Sequence, residues 1–271
     1  MLGPPGRGRW VRVALLAGLL ALLPPLWQPW LDAWRPLPLP ERQLAVAGAT
    51  RTFYFYRPAA LPAPPPWPLL VFLQGLDTAS APSGHTRQLG RFLMRAADRH
   101  GFLLALPRGL PGAFPESPRA LAWSPRGHCD NRDFLAILCR HLVASEGADP
   151  DRLWLGAFSN GAYFGAIELL GNPASPFAGY WFDGGGDAYP LATGVLRRAV
   201  AVGMSSRDID NYTYVANFVA GLRQHGWREP DELLVQPHAG GHDVDQAGFA
   251  AVARFLLARA RLSAASAAAI P

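Results

Sequence analysis

Short apolar runs recur along this sequence, and each has the length of one buried β-strand. The run "LLVFL" at 69–73 is apolar at every position, as expected of a strand that is covered on both faces. The same pattern returns in "GFLLALP", "RLWLGAF", "AGYWF", "RAVAVGM" and "ELLVQP". The stretch "RTFYFYRP" alternates polar and aromatic residues instead, which predicts strands at the edge of a sheet.

Helical periods lie between these strands. In "HTRQLGRFLMRAADRH" the apolar side chains fall on one face of a helix, namely Leu89, Phe92, Leu93, Ala96 and Ala97. The arrangement repeats in "NRDFLAILCRHL", "NYTYVANFVAGLRQHG" and "DQAGFAAVARFLLARA". Strands that alternate with helices predict an α/β fold with a mostly parallel central sheet and helices on both faces. In such folds, ligands bind at the carboxyl ends of the strands.

Residues 1–34 have a different pattern. Three arginines, Arg7, Arg9 and Arg12, precede an apolar stretch at 13–23. This length is typical of a signal-peptide core, since a membrane-spanning helix needs about 20 apolar residues. Apolar residues continue as far as Trp34 without a clear cleavage site, so an uncleaved membrane anchor is the alternative. We expect a secreted or periplasmic protein whose only membrane contact is through this segment.

The rest of the chain has the composition of one globular domain. Of the 271 residues, 50% are hydrophobic and 17% are charged, which is ample material for one core. We expect a monomeric domain at 35–262 and a flexible Ala-rich tail at 263–271. The net charge is +5, but the 25 basic residues are scattered arginines without a basic run. The charge therefore does not indicate nucleic-acid binding.

The two cysteines, Cys129 and Cys139, are compatible with two states. In an exported protein they can form one disulfide, because the compartment is oxidising. Cys139 lies in a helical pattern, however, and pairing depends on geometry, so two unpaired buried thiols are the other possibility. The sequence leaves both open.

The turn after "RLWLGAF" has the most informative residues. Its frame is Ala157-Phe158-Ser159-Asn160-Gly161, a serine with a small residue two positions away on each side. A nucleophilic serine between a strand and a helix takes a strained backbone conformation, and small neighbours let the chain pass there. The apolar strand before this frame and the pattern "GAYFGAIELL" after it provide that context. The frame predicts that Ser159 is a nucleophile.

A serine hydroxyl needs a base, and the base needs a carboxylate that orients it. Candidates follow the last two predicted strands, where "SSRDIDN" offers Asp208 and Asp210, and "HAGGHDVD" offers His238 and His242. We favour His242 because the Gly-Gly pair before it lets the loop fold back toward the serine. We favour Asp208 as the first carboxylate after its strand, with Asp210 as the alternative acid.

A metal site is the other interpretation of the two histidines. His-x-x-x-His places both rings on one face only in a helix, and the pair Gly240-Gly241 disfavours a helix there. The carboxylates Asp183 and Asp187 lie in a Gly-rich loop that needs no metal to explain it. We expect neither a metal nor a cofactor.

Attack by serine on a carbonyl creates an oxyanion that needs backbone N–H donors already aimed at it. One donor is expected from Asn160, the residue after the nucleophile. The second is expected from the turn "QGLD" after the strand "LLVFL", and we assign it to Leu76.

Several of these stretches resemble one known group of proteins. "PLLVFLQGLD", "RFLMRAADRHGFLLALPRG", "DNRDFLAIL", "DPDRLWLGAFSNGAYFG" and "GGH" are similar, in order and spacing, to exported α/β-hydrolases of the polyhydroxybutyrate depolymerase, feruloyl esterase and acetyl xylan esterase group. The resemblance covers about Leu44 to Leu257. It departs from the group at Ala157, where glycine is usual, and at Gln74, where many hydrolases have histidine.

The resemblance implies an α/β-hydrolase catalytic domain at 35–262, with Ser159, Asp208 and His242 as its triad. The spacing of these residues leaves little or no room for a lid. The expected activity is hydrolysis of small-molecule or polymeric carboxylic esters through an acyl-enzyme. A peptidase or thioesterase with the same triad, or a catalytically silent binding protein on the same fold, are the alternatives.

Overall fold

The computed structural model of the chain describes residues 35–77, 82–112, 118–124, 131–187 and 196–259. The predicted signal peptide or anchor at 1–34 and the predicted tail at 263–271 lie outside these described residues. In the described part of the chain, no helix combines the length and apolar character that crossing a bilayer requires.

An eight-stranded sheet runs through the described residues. Its strands are β1 (Glu41–Val46), β2 (Ala49–Tyr56), β3 (Trp67–Leu73), β4 (Leu103–Pro107), β5 (Ala148–Phe158), β6 (Gly179–Asp183), β7 (Ala199–Ser205) and β8 (Leu233–His238). In space they follow the order β1-β2-β4-β3-β5-β6-β7-β8. Antiparallel pairing joins β1 to β2 and β2 to β4, and all other neighbours are parallel. The predicted mostly parallel sheet is confirmed.

Helices cover both faces of the sheet, as predicted. They are α1 (Gly84–His100), α2 (Asn131–Glu146), α3 (Asn160–Phe164), α4 (Ile209–Gln224) and α5 (Phe249–Leu257), and a π-helical turn, Gly165–Leu170, continues α3. Buried side chains of α2, α3 and α4 belong to one core cluster. Those of α1 and α5 belong to a second cluster on the opposite face.

Strand β3 shows why its sequence is apolar throughout. Leu69, Val71 and Leu73 point into the first core, whereas Leu70 and Phe72 point into the second. Successive side chains of a strand face opposite sides of the sheet, so a strand with a helix layer on each side has no polar face.

One edge of the sheet is a hairpin made by β1 and β2. Its two-residue turn, Ala47 and Gly48, has positive φ at both positions, 49° and 82°, which suits the twist of a tight hairpin. On β2 the predicted alternation places Arg51, Phe53 and Phe55 on the buried side. Among the strands of the described residues, β1 pairs with β2 alone and is the edge strand on this side, and β8 lies at the opposite edge.

The last helix is shorter than its apolar pattern predicts. It begins at Phe249 rather than at Asp245. The reason is local, because the carboxylate of Asp245 accepts a hydrogen bond from the Gly248 N–H at 3.0 Å. Such a side-chain turn competes with helical hydrogen bonding and delays the start of the helix.

One of the two cysteines lies in the described part of the chain. Cys139 lies buried in α2 as a free thiol, and burial raises its pKa to about 12. Cys129 lies outside the described residues. A thiol in this apolar setting is neutral and unreactive at physiological pH.

Candidate active site

Ser159 follows β5 directly and precedes the first residue of α3. Its backbone has φ 50° and ψ −119°, a conformation that residues other than glycine rarely adopt. The Ser159 N–H donates to the Asp183 carbonyl at the end of the neighbouring strand β6, at 2.9 Å. Strained backbone of this kind is concentrated at functional sites, where surrounding structure holds it in place.

The small residues on either side of the serine let neighbouring chain segments approach closely. A Cβ atom on Gly161 would lie 2.7 Å from the carbonyl oxygens of Leu73 and Gln74, so α3 packs against the backbone that follows β3. Ala157 pairs with Leu73 on one side and with Phe182 on the other, and it is fully buried. The strand-to-helix turn at 157–161, which we call the elbow, therefore accommodates alanine at its first small position while requiring glycine at its second.

Three side chains from different strand ends form one hydrogen-bonded chain. His242, in the loop after β8, has its Nε2 2.9 Å from Ser159 Oγ. The Nδ1 of the same ring is 2.6 Å from Asp208 Oδ2, and Asp208 lies between β7 and α4. With Nδ1–H donating to the carboxylate, Nε2 is the atom that accepts the serine proton.

The two candidate acids have different positions. The Asp208 side chain is 6% exposed and contacts His242. Asp210 lies two residues further on in the first turn of α4, where it is exposed. The structure brings Asp208, and not Asp210, against the imidazole.

Two residues that the sequence did not single out support the carboxylate. Asn211 Nδ2 donates to Asp208 Oδ1 at 2.9 Å, and Tyr163 Oη donates to Asn211 Oδ1 at 3.0 Å. Burial alone would raise the pKa of Asp208, but hydrogen bonds from Asn211 and His242 outweigh it and lower that pKa. Asn211 is three positions after Asp208, and this helical spacing is the one signal that could have identified it.

The two segments that carry the predicted oxyanion donors both lie close to Ser159. Asn160 is the first residue of α3, and the first N–H groups of a helix have no partner within the helix. The loop that carries Leu76 passes close to the serine, because a Cβ on Gly75 would lie 3.1 Å from the Ser159 Cβ. The Asn160 side chain pairs with the Trp123 backbone, accepting at 2.7 Å and donating at 3.1 Å.

Gln74, which stands where many hydrolases have histidine, fixes the loop after β3. Its buried amide, in the orientation that satisfies both of its polar atoms, donates to the Pro107 carbonyl at 3.0 Å and accepts from the Gly109 N–H at 3.1 Å. These bonds join the segment after β3 to the end of β4 and the residues that follow it. The glutamine thus supports the backbone that carries Leu76 without reaching the serine itself.

The first histidine of "HAGGHDVD", His238, has another partner. His238 Nε2 lies 3.3 Å from Asp183 Oδ1. His238 and His242 therefore contact different groups. Within the described ranges, His, Cys, Asp and Glu side chains form no cluster of three that could hold a metal ion.

An aromatic side chain lies against the His242 imidazole. The Phe158 ring lies 4.9 Å from the His242 ring and 5.4 Å from the His85 ring, measured between centroids. His85 Nε2 is in turn 3.0 Å from Asp243 Oδ1, next to His242 in the chain. His85 comes from α1, so a helix on the second face also contacts the loop that carries the base.

Comparisons by sequence give no relative, since no protein-family model matches the chain and no curated protein matches it either. Solved structures do match. A thermostable esterase has a TM-score of 0.62 at 15% identity over 82% of this chain and 63% of its own, so the chain spans less than two thirds of that esterase. LpqC, a poly(3-hydroxybutyrate) depolymerase from Bordetella parapertussis, has a TM-score of 0.59 at 18% identity over 88% of this chain and 96% of its own.

A third match is FphF, a fluorophosphonate-binding serine hydrolase of Staphylococcus aureus, with a TM-score of 0.56 at 13% identity, covering 82% of this chain and 98% of that one. Likeness at such low identity is a likeness of fold. The strand order, the two helix layers and these matches agree with one another. The chain has the α/β-hydrolase fold that its sequence predicts.

Proposed function

We propose that this protein is a serine hydrolase that cleaves carboxylic esters through an acyl-enzyme. The observation that carries the proposal is the continuous chain from Ser159 Oγ through His242 to Asp208, with contacts of 2.9 and 2.6 Å, at a serine with positive φ. Nucleophile, base and orienting acid are the parts that this chemistry requires. A strained serine joined to both others is difficult to explain as a turn that only connects two elements.

The proposed reaction uses each atom of that chain. His242 Nε2 takes the proton of Ser159 as Oγ attacks the ester carbonyl, and Asp208 stabilises the imidazolium that forms. The N–H groups of Asn160 and Leu76 stabilise the oxyanion. The intermediate then expels the alcohol, which takes the proton from Nε2. Water activated by the same Nε2 releases the acid and restores the serine.

The names of the structural neighbours support the same reaction class. They include an esterase, a polyester depolymerase and a fluorophosphonate-binding serine hydrolase. We extend this to a small-molecule or polymeric ester as the substrate of this chain. The resemblance of its motifs to the polyhydroxybutyrate depolymerase, feruloyl esterase and acetyl xylan esterase group supports that choice.

The test of the proposal replaces the nucleophile. Ser159→Ala shortens the side chain by one atom, so folding changes little, whereas hydrolysis of a short-chain aryl ester falls by about 10³-fold or more. Labelling of the protein by a fluorophosphonate probe is also lost. The matched control is Ser145→Ala, because the Ser145 hydroxyl is exposed in α2 and bonds to His141 of its own helix.

The outcomes separate the proposal from its rivals. Unchanged ester turnover in Ser159→Ala contradicts the nucleophile. A wild-type protein that neither hydrolyses an ester nor takes up the probe is a binding protein on this fold. Probe labelling combined with preference for an anilide or a thioester over the matched ester indicates a peptidase or a thioesterase.

A further inference from the structure

The buried carboxylate of Asp183 lies next to the proposed active site. Asp183 is the last residue of β6, and its side chain is 1% exposed. It pairs in register with Phe158, and its carbonyl accepts the Ser159 N–H at 2.9 Å. The main chain of Asp183 therefore belongs to the elbow, while its side chain points elsewhere.

The Asp183 carboxylate holds both ends of the loop that carries His242. One oxygen, Oδ1, is 3.3 Å from Nε2 of His238, which is the last residue of β8. The other, Oδ2, accepts from the Asp245 N–H at 2.9 Å. The base, His242, lies between these two attachment points in the chain.

The contacts of His238 define which groups donate. The Gly240 N–H donates to His238 Nδ1 at 3.2 Å, so that nitrogen carries no proton. The other nitrogen, Nε2, consequently carries the proton and donates a hydrogen bond to the Asp183 carboxylate. Each carboxylate oxygen thus accepts one hydrogen bond, an arrangement that the amide of asparagine cannot reproduce, because it has one accepting oxygen.

The neighbouring strand leaves space for this carboxylate. A Cβ atom on Gly203 of β7 would lie 2.4 Å from the carboxyl carbon of Asp183. Burial raises the pKa of Asp183, against the hydrogen bonds from His238 and Asp245 that lower it. A buried carboxylate costs stability unless its oxygens are paired, and both oxygens of Asp183 have a donor, one at each end of the loop.

The loop needs such attachment because its sequence is permissive. It contains Gly240 and Gly241, and Gly241 has φ +75°. Glycines leave a loop more conformations than other residues do. A base on this loop keeps one position only if contacts outside the loop restrict it.

We propose that Asp183 is a positioning residue, whose carboxylate fixes both ends of the loop 239–244 and so sets the position of the His242 imidazole against Ser159 and Asp208. The inference rests on the proposed hydrolase function. Asp183 touches neither the serine hydroxyl nor His242 in the hydrogen-bond chain of the triad. It acts through the loop.

The principal test is Asp183→Asn, with Asp231→Asn as the control at an exposed aspartate whose carboxylate is away from the site. In the folded variant we expect kcat for an aryl ester to fall about 10- to 100-fold with little change in KM, because a small displacement of a catalytic group costs that much. The rate of fluorophosphonate labelling falls in parallel. The control keeps both rates.

Proton NMR reports on the hydrogen bond of the His242 imidazole without any substrate. The Nδ1–H of His242, hydrogen-bonded to Asp208 at 2.6 Å, gives a downfield proton resonance in the wild type. We expect this resonance to shift or disappear in Asp183→Asn and to stay in the control. An absence of ester hydrolysis in the wild type would overturn the proposed function, whereas this resonance would still test the role of Asp183.

A second variant covers the case in which Asp183→Asn does not fold. His238→Gln releases one end of the loop and leaves the Asp245 contact, with His225→Gln as the exposed control, since His225 bonds only within the end of α4. We expect a smaller fall in kcat and in labelling rate than in Asp183→Asn. A folded Asp183→Asn with wild-type kcat, labelling rate and resonance overturns the proposal, as does wild-type behaviour of His238→Gln when the first variant is unfolded.

Discussion

Asp208 is a buried carboxylate that its neighbours keep charged. Burial opposes the charge, but hydrogen bonds from Asn211 and His242 lower the pKa of the group below its ordinary value. A carboxylate with a lower pKa in the folded state than in the unfolded state stabilises the fold where it is ionised. That contribution is present at neutral pH and is lost as the pH falls through the lowered pKa.

The acid can be identified by comparing the two aspartates of its loop. We expect Asp208→Asn to slow ester hydrolysis by up to about 10⁴-fold, because the imidazole then loses the acceptor that fixes its tautomer. Asp210→Asn should have little effect, since Asp210 is exposed in the first turn of α4. The measurement is kcat/KM for an aryl ester, with circular dichroism as the check on folding. A larger loss in Asp210→Asn would contradict the assignment.

Residues differ in how far the sequence could predict their positions. Ser159, Asp208 and His242 each follow a recognisable strand, so their types and order were enough to nominate them. The contact between Asp183 and His238 joins residues 55 positions apart. It depends on the register of β6, β7 and β8, which apolar runs do not specify, because a run with two buried faces has no polar side to fix its register.

At the scale of elements, the elbow between β5 and α3 is built from a close approach of backbones. The carbonyl oxygens of Leu73 and Gln74 lie where a side chain on Gly161 would begin. Backbone cannot move aside as the end of a flexible side chain can. Ala157, by contrast, has a methyl group that the core already contains.

The two small positions of the elbow should therefore respond differently to exchange. We expect Gly161→Ala to lower the free energy of unfolding by about 1–3 kcal/mol, as overpacking does, and to reduce ester hydrolysis. The matched variant Ala157→Gly, which installs the residue more usual in related elbows, should cost about 1 kcal/mol and retain activity. Urea denaturation and ester turnover measure the two effects. Equal stability losses at both positions would contradict this account.

The sequence predicts whether an element is a strand or a helix better than it predicts the residues at which the element begins and ends. The apolar runs identify β3 to β7 because each has both faces covered, whereas β8 is an edge strand most of whose side chains are only partly buried. The start of α5 at Phe249 was not predicted, since it is set by the Asp245 side chain rather than by the apolar period. The π-helical turn Gly165–Leu170 also has no counterpart in the apolar pattern. Local polar contacts of this kind override periodicity at the ends of helices.

At the scale of the whole molecule, the proposed catalytic domain begins after a segment with the pattern of an export signal. We expect residues 1–34 to direct the protein out of the cytoplasm, because the arginines stay inside while the apolar core inserts. Fractionation of cells that produce a C-terminally tagged protein measures this. A variant without residues 1–34 is the control and should remain in the cytosol.

The fractionation also separates the two fates of the segment. A released protein whose first residue lies between Gln28 and Arg35 indicates a cleaved signal peptide. Full-length protein in the membrane fraction indicates an anchor. Full-length protein found solely in the cytosol would contradict the expectation of export.

The order of the strands along the chain determines when the residues of the proposed site can come together during folding. Ser159 and His242 are 83 positions apart, and Asp208 and His242 are 34 apart. Contacts between distant positions form late, because the intervening chain must first be ordered. During synthesis, β8 and the loop after it emerge after Ser159 and its elbow, and only α5 follows them among the described elements. Until β8 docks on β7, Ser159 lacks the histidine of the proposed triad, so we expect the nascent chain to have no ester-hydrolysing activity before the sheet is complete.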